Sequence, residues 1–327
     1  MHWLIVGNGT AHRKPTAVVS LHIDASTLTL LALVCATDSL VITRLWHKLW
    51  TQCPTYEALP PGSKELLPIA ASQLQELGLI LADLPFPADL SSSVLLGKCK
   101  AIWARNVLVL RKAQTWSRLL RDAGVDAVAI KGVTSISRDR VLGKGRQTLD
   151  VDLLIQPEQW DLAEQTLMRS GYFHSCDAPQ QWSEGRGWVS IHAQHWRGDG
   201  VDLDLHRHPQ PGFLTDIAPF AFLQNPVRDR CGILNPQAGD HIAILLLHAF
   251  TRANAASEAC FRYVAEALRS APALRSSDHA ALAHQLRRHD NGTRIQKQME
   301  DLGKTITSLS AAEPRIRRSH RCWASPR

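Results

Sequence analysis

The segment 149–155, LDVDLLI, restricts the fold of this 327-residue chain more than any other stretch. Its other residues are Leu, Val and Ile, which is typical of a buried strand, yet it carries two aspartates. Because side chains alternate between the two faces of a strand, Asp150 and Asp152 share one face and Val151 lies on the other. An unpaired buried carboxylate is costly, so the aspartate face is expected to border a cleft or a cation.

A second strand has the same pattern. The segment 201–207, VDLDLHR, places Asp204 and His206 on one face, and the preceding WVSIHAQHW at 188–196 predicts its antiparallel hairpin partner. If this strand neighbours 149–155, three or more carboxylates converge on one edge of the sheet. Clustered carboxylate oxygens are the ligands that Mg²⁺ prefers. The sequence therefore predicts one or two Mg²⁺ ions at this edge; solvent-facing aspartates are the simpler alternative.

Cationic residues accompany the acidic ones. The apolar run at 125–130, VDAVAI, predicts a strand that ends at Lys131, and Gly132 would let the backbone approach an anion closely. Arg146 precedes Asp150 by four residues and has the planar fork that binds a phosphate through two hydrogen bonds. These residues predict phosphate binding beside the carboxylates.

Helical periodicity dominates the rest of the chain. The predicted regions are a mostly helical part at 1–90, a core at 91–235 that begins with a helix at about 93–123, a helical part at 236–313 and a basic, disordered tail at 314–327. Helices, a small mixed sheet with crossing helices, and helices again define an α+β fold.

The composition and the charge of the chain indicate which classes of protein it can belong to. Apolar content of 45% and charged content of 20% are typical of a soluble globular protein. The seven cysteines form no CxxC pair, which favours reduced thiols and a cytoplasmic location. The opening MHWLIVGNGT lacks signal-peptide features, and the longest apolar run, 28–36, is too short to span a bilayer, so no membrane partner is expected. Most of the net charge of +7 lies in the tail. A frayed chain end is the favoured interpretation of this tail, and DNA binding is the alternative.

The segments IKGVTSISR, GRQTLDVDLLI and VDLDLHR, in this order, resemble the uncharacterised bacterial nucleotidyltransferase family over roughly 95–265. The resemblance implies a minimal nucleotidyltransferase-like mixed β-sheet flanked by helices, with Mg²⁺ and nucleotide bound at its carboxylates. By position in the motif, the catalytic and metal-binding residues would be Asp150, Asp152 and Asp204. The nucleotide- and phosphate-binding residues would be Lys131, Gly132, Arg146 and His206.

The implied activity is Mg²⁺-dependent transfer of a nucleotidyl group from an NTP to an unknown acceptor, with a peptide or protein as one option, as in the tailoring of a peptide natural product or a polysaccharide. Two alternatives stay open. One is glycosyl transfer from a nucleotide-sugar on the same fold. The other is a decayed, non-catalytic module that binds a nucleotide or a partner, because the Gly-Ser turn of most such enzymes is replaced here by an upstream Lys-Gly.

Three further patterns have weaker functional readings. Histidines at 192, 195, 206 and 208 offer a zinc site, but they lack zinc-binding spacing, and strand histidines facing a polar cleft are favoured. Tryptophans at 182, 188 and 196 could stack a base, but packing is favoured. Arg262 and Tyr263 are predicted to face the cleft.

Overall fold

The structure, a computed structural model, describes residues 23–174, 180–183, 187–190, 193–197, 200–209, 225–251, 260–275, 278–279, 282, 286 and 292–310. The tail predicted at 314–327 and His192 lie outside the described residues, as do the side chains of Trp182 and Trp188. The helices are α1 (Ala25–Cys35), α2 (Ser39–Gln52), α3 (Pro61–Lys64), α4 (Leu67–Glu76), α5 (Ser92–Asp122), α6 (Gly132–Arg138), α7 (Arg140–Gly145), α8 (Trp160–Arg169), α9 (Ala238–Thr251), α10 (Cys260–Ser270) and α11 (Gly292–Ser310).

The strands form one mixed sheet and one separate hairpin. They are β1 (Ala127–Ala129), β2 (Asp150–Ile155), β3 (Phe173–His174), β4 (Gln180–Ser183), β5 (Gly187–Ser190), β6 (Ala193–Arg197), β7 (Asp202–His206), β8 (Val227–Arg228) and β9 (Leu234–Asn235). The seven-stranded sheet has the order β3-β6-β7-β2-β1-β9-β8, and β4 pairs with β5. This mixed sheet among helices confirms the predicted α+β class.

Side-chain caps fix where the long helices begin. Ser91 precedes α5, and its hydroxyl accepts a hydrogen bond from Val94 N at 3.3 Å. Asp24 and Asp38 cap α1 and α2 in the same way. These side chains satisfy amide groups that have no partner within the helix. The three serines at 91–93 predict a helix N-cap at this point, and the start of α5 agrees with that and with the helix predicted at about 93–123.

The two faces of the central strands are buried by different helices. On one face, Val151 and Leu203 share a cluster with Trp116 of α5 and Trp160 of α8. On the other face, Leu154 belongs to a larger cluster that also holds side chains of α1, α2, α4, α9, α10 and α11. The aspartates of β2 lie on this second face, because they alternate with Val151 and Leu153. The N-terminal and C-terminal helices share this core, and the predicted division at residues 90 and 235 stays a prediction.

Two local predictions differ from the structure. The sequence TSISRDRVL at 134–142 predicts one short helix, but the structure has two helices there, α6 and α7, because Asp139 adopts an extended conformation between them. Its carboxylate accepts hydrogen bonds from Val141 N at 2.8 Å and Leu142 N at 3.2 Å, which starts α7. The expected single strand over 188–196 is divided between β5, in the separate hairpin, and β6, which pairs with β7 as predicted.

Among the described residues, no helix combines the length and the apolar character that crossing a bilayer requires.

Candidate active site

The site begins with the pairing of β2 and β7. These strands are parallel neighbours, with Asp150 opposite Asp202 and Asp152 opposite Asp204. Residues directly opposite each other in a sheet point to the same side. The two carboxylate-bearing strands are therefore adjacent, as the sequence analysis required for a shared site.

Asp152 lies at the centre of a buried polar triad. Its Oδ1 atom accepts a hydrogen bond from Lys131 Nζ at 2.7 Å and lies 2.8 Å from His206 Nε2. The side chains of Lys131 and Asp152 are each 7% exposed. Burial alone would raise the pKa of Asp152, but the Lys131 ammonium and the His206 hydrogen bond together hold it below its ordinary value.

The two partners of Asp152 have well-defined charge states at pH 7: Lys131 is protonated and His206 is neutral. Burial opposes the charge of Lys131, yet the Asp152 carboxylate raises the pKa of Lys131 above its usual value. Burial, followed by the nearby Lys131 charge, lowers the pKa of His206 to about 4, so the imidazole is neutral at pH 7. A neutral His206 donates through Nε2 to Asp152. His206 shares a strand face with Asp204, as the sequence predicts, but its hydrogen-bond partner is Asp152 on the neighbouring strand.

The pKa values of Asp204 and Asp150 are raised, in contrast to that of Asp152. Burial, followed by the carboxylates of Asp152 and Asp150, raises the pKa of Asp204 to about 8. Burial and then Asp152 also raise the pKa of Asp150. Carboxyl groups in this situation bind a proton or a cation strongly, because either removes the repulsion between like charges. His195 of β6 approaches Asp204, with its Nδ1 atom in contact with Oδ1.

The residues present fit a divalent cation. Asp152, Asp204 and His206 each offer one ligand atom, and these atoms all lie within 4.8 Å of one another. Carboxylate oxygens suit Mg²⁺ or Mn²⁺, and an imidazole nitrogen suits transition metals better. Asp150 is not one of this group of three in the described residues; it lies one alternation along the same face of β2.

The strand β1 brings Lys131 to the triad. Ile130 N donates to Asp152 O at 3.0 Å, which extends the antiparallel pairing of β1 with β2 up to the lysine. Lys131 then takes φ 52° and ψ −119°, a conformation that is rare for a residue with a side chain and typical of strained functional positions. Lys131 occupies the N-cap position of α6 without a side-chain capping hydrogen bond, and its side chain is directed at Asp152.

Arg146 lies behind this turn. Its Nε atom donates to Glu266 of α10 at 2.8 Å, and one terminal nitrogen donates to Thr148 Oγ1 at 2.7 Å. The guanidinium lies against Gly132, where an added Cβ would be 2.9 Å from Arg146 Cζ and 2.8 Å from Thr148 Cγ2. A residue larger than glycine at position 132 would therefore overlap the Arg146 side chain. The phosphate contacts predicted for Gly132 and Arg146 stay predictions.

The network around Glu266 was not predicted from the sequence. Ser135 Oγ donates to Glu266 and lies 3.1 Å from His241 Nε2, and Glu266 is completely buried. Burial holds the pKa of His241 well below its usual value, so this histidine is neutral. An acid in the helical sequence CFRYVAEALRSA has no local signal that separates it from a surface residue.

Arg262 and Tyr263 lie beside the same network. Arg262 donates to Glu65 at 3.0 Å, and the Tyr263 ring lies 6.0 Å from Arg146 Cζ. Trp196 is completely buried against His174, which supports packing and not base stacking.

The mixed sheet carries carboxylates on two neighbouring parallel strands, with Lys131 at the end of a third strand, and this arrangement agrees with the nucleotidyltransferase-like fold that the resemblance implies. The model of the uncharacterised nucleotidyltransferase family matches residues 63–305, and the chain belongs to that family. A search of curated proteins finds no match.

Proposed function

We propose that the protein is a Mg²⁺-dependent nucleotidyltransferase that moves a nucleotidyl group from an NTP to an acceptor hydroxyl. The observation that carries the proposal is the approach of Asp152 and Asp204, on adjacent parallel strands, to within the reach of one cation. Membership of the family supports the transferase class.

Asp152 and Asp204 would hold the metal, with Asp150 as a third carboxylate on the same face. A divalent cation supplies charge neutralisation of the triphosphate and polarisation of its α-phosphorus. The raised pKa of Asp204 supports this role, because a cation would displace the proton that the clustered carboxylates otherwise retain. His206 would orient Asp152 through the hydrogen bond that it donates.

Lys131 would bind the phosphates. Its ammonium neutralises Asp152 when no nucleotide is bound, and its flexible stem would let it turn to the β- or γ-phosphate. Gly132 would present its backbone to the same phosphates. Arg146 was predicted to bind phosphate directly; held by Glu266, it would also fix the Lys131–Gly132 turn from behind.

Asp204 would accept the proton in the transfer step. The acceptor oxygen would attack the α-phosphorus in line with the bond to the β-phosphate; that bond breaks, pyrophosphate leaves, and the hydroxyl proton passes to Asp204. With a cation in place, Asp204 would be ionised at neutral pH and could accept this proton.

The test uses wild type, Asp152→Asn and Asp126→Asn. Asp126 is an exposed aspartate on the loop before β1, so its substitution is the matched control. Calorimetry with each NTP, with and without Mg²⁺, should give Mg²⁺-dependent binding to the wild type and the control and none to Asp152→Asn. If folded Asp152→Asn bound nucleotide and turned over as the wild type does, the proposed metal site would be wrong.

The released product separates the alternatives. Pyrophosphate release from an NTP supports nucleotidyl transfer, whereas a nucleoside diphosphate released from a nucleotide-sugar would indicate glycosyl transfer. Mg²⁺-dependent binding with no product from either donor, across a panel of hydroxyl acceptors, would favour the non-catalytic module.

A further inference from the structure

A basic pocket lies at the C-terminal half of α5, the helix that covers the face of the sheet opposite to the carboxylates. The pocket has a volume of about 530 Å³. Among the described residues, four arginines line it, together with Gln114, Thr115, Cys231 and Gly232; the arginines are Arg111, Arg118, Arg121 and Arg230. These residues form the arginine pocket.

Two separate elements build the arginine pocket. Three of the arginines come from α5, and Arg230 comes from the turn between β8 and β9. That turn is well fixed, because Asp229 Oδ1 accepts hydrogen bonds from Cys231 N at 2.9 Å and Ile233 N at 3.0 Å. Arg230 is therefore carried to the helix by a rigid hairpin, which a merely solvated helix face would not require.

The charge of this region is one-sided. The helix α5 has seven Lys and Arg residues and one acid, Asp122 at its last position. Arg121 lies 3.6 Å from Asp122, and in the described part of the chain no acidic residue lines the arginine pocket. A concave surface with charges of one sign concentrates counter-ions, and placing like charges together without such a ligand is unfavourable.

We propose that the arginine pocket binds a ligand with two or more closely spaced phosphate groups, at a site distinct from the carboxylates of β2 and β7. Arginine binds phosphate through paired hydrogen bonds, and Gln114 and Thr115 add neutral hydrogen-bonding groups. The volume lies in the range of small-molecule sites. The described residues that line the pocket include no aromatic ring for stacking a base, and their chemistry favours recognition of the phosphates.

Two sources present phosphates in this way: a free polyphosphate, as in a nucleoside polyphosphate, and the backbone of an oligonucleotide. The test titrates the full chain with inorganic triphosphate, and in a second arm with a short single-stranded oligonucleotide. Calorimetry is done in EDTA, so that no divalent cation recruits the probe to the carboxylates. The variants are Arg118→Gln/Arg230→Gln and the control Lys98→Gln, an exposed lysine of α5 that does not line the pocket.

The Kd for triphosphate should rise at least about tenfold in the double variant, since each charge-assisted hydrogen bond contributes about that factor or more. It should be unchanged in Lys98→Gln. Stronger binding of the oligonucleotide, lost in the same double variant, would support the site and identify a nucleic-acid backbone as the source. Equal affinities of wild type and double variant for both probes, or no binding of either by the wild type, would overturn the proposal.

Discussion

Replacement of Lys131 by methionine tests the electrostatics of the buried triad. Methionine keeps most of the volume of the side chain and removes its charge, so Asp152 is left with His206 alone. Breaking a buried ion pair by removing one partner costs roughly 3–5 kcal/mol. This cost cannot exceed the free energy of protonating Asp152, because the folded variant can bind a proton there and make the carboxyl group neutral.

The limit depends on pH and can be calculated. Protonating a carboxyl group of ordinary pKa 3.8 costs about 1.4 kcal/mol per pH unit above that value, hence about 4 kcal/mol at pH 7 and about 2 kcal/mol at pH 5. In the wild type the pKa of Asp152 is lowered, so its stabilisation is present above the unfolded pKa and lost as pH falls. In Lys131→Met the folded pKa is raised, so stability decreases as pH rises. The difference between the two proteins should therefore be larger at pH 7 than at pH 5.

Urea unfolding at the two pH values measures this difference. The control is Lys131→Met/Asp152→Asn, which removes both charges and should recover most of the lost stability at either pH. A penalty for Lys131→Met that was below about 1 kcal/mol, or equal at both pH values, would refute the buried ion pair.

Three further substitutions follow from the same site. Asp204→Asn should be more stable than the wild type in the metal-free state, and this advantage should be larger at pH 9 than at pH 5 by at least about 1.4 kcal/mol. The reason is that the pKa of Asp204 is raised to about 8 in the folded wild type, so the wild type loses stability as pH rises towards that value. Thermal unfolding in EDTA at the two pH values measures the difference. Gly132→Ala should cost about 1–3 kcal/mol in urea unfolding, since its Cβ would overlap Arg146 and Thr148, and a wild-type value would contradict the close packing. Glu266→Gln should cost roughly 3–5 kcal/mol by leaving the buried Arg146 guanidinium without its carboxylate, and a loss under about 1 kcal/mol would show that the pair is not buried.

The strands of the site were predictable because their information is local. Alternation in 149–155 and 201–207 places the aspartates on one face of each strand, and the hairpin that joins β6 to β7 follows from the turn between them. The parallel neighbourhood of β2 and β7 was a condition of the predicted site, and the structure meets it. The long helix α5 was also predictable, from its periodicity and its serine cap.

The partners of the charged residues were not predictable in the same way. Lys131 reaches Asp152 because β1 and β2 are antiparallel, and Arg146 reaches Glu266 across 120 residues of sequence. A sequence gives the chemical type of each residue, whereas the choice between a phosphate and an internal carboxylate depends on which segment packs opposite. His206 shows the same limit, because its face was predicted and its hydrogen-bond partner was not.

The shared core of the first and last helices has a consequence for engineering. The family match begins at residue 63, but α1 and α2 precede it, and Leu30 and Ile42 are buried in the same cluster as Leu245 of α9. A chain trimmed to residues 63–305 would uncover the apolar sides of α4 and α10 and would tend to aggregate. In this protein the segment that the family model matches is thus smaller than the unit of folding, and a shortened chain would need another element, or a second subunit, in place of the first two helices.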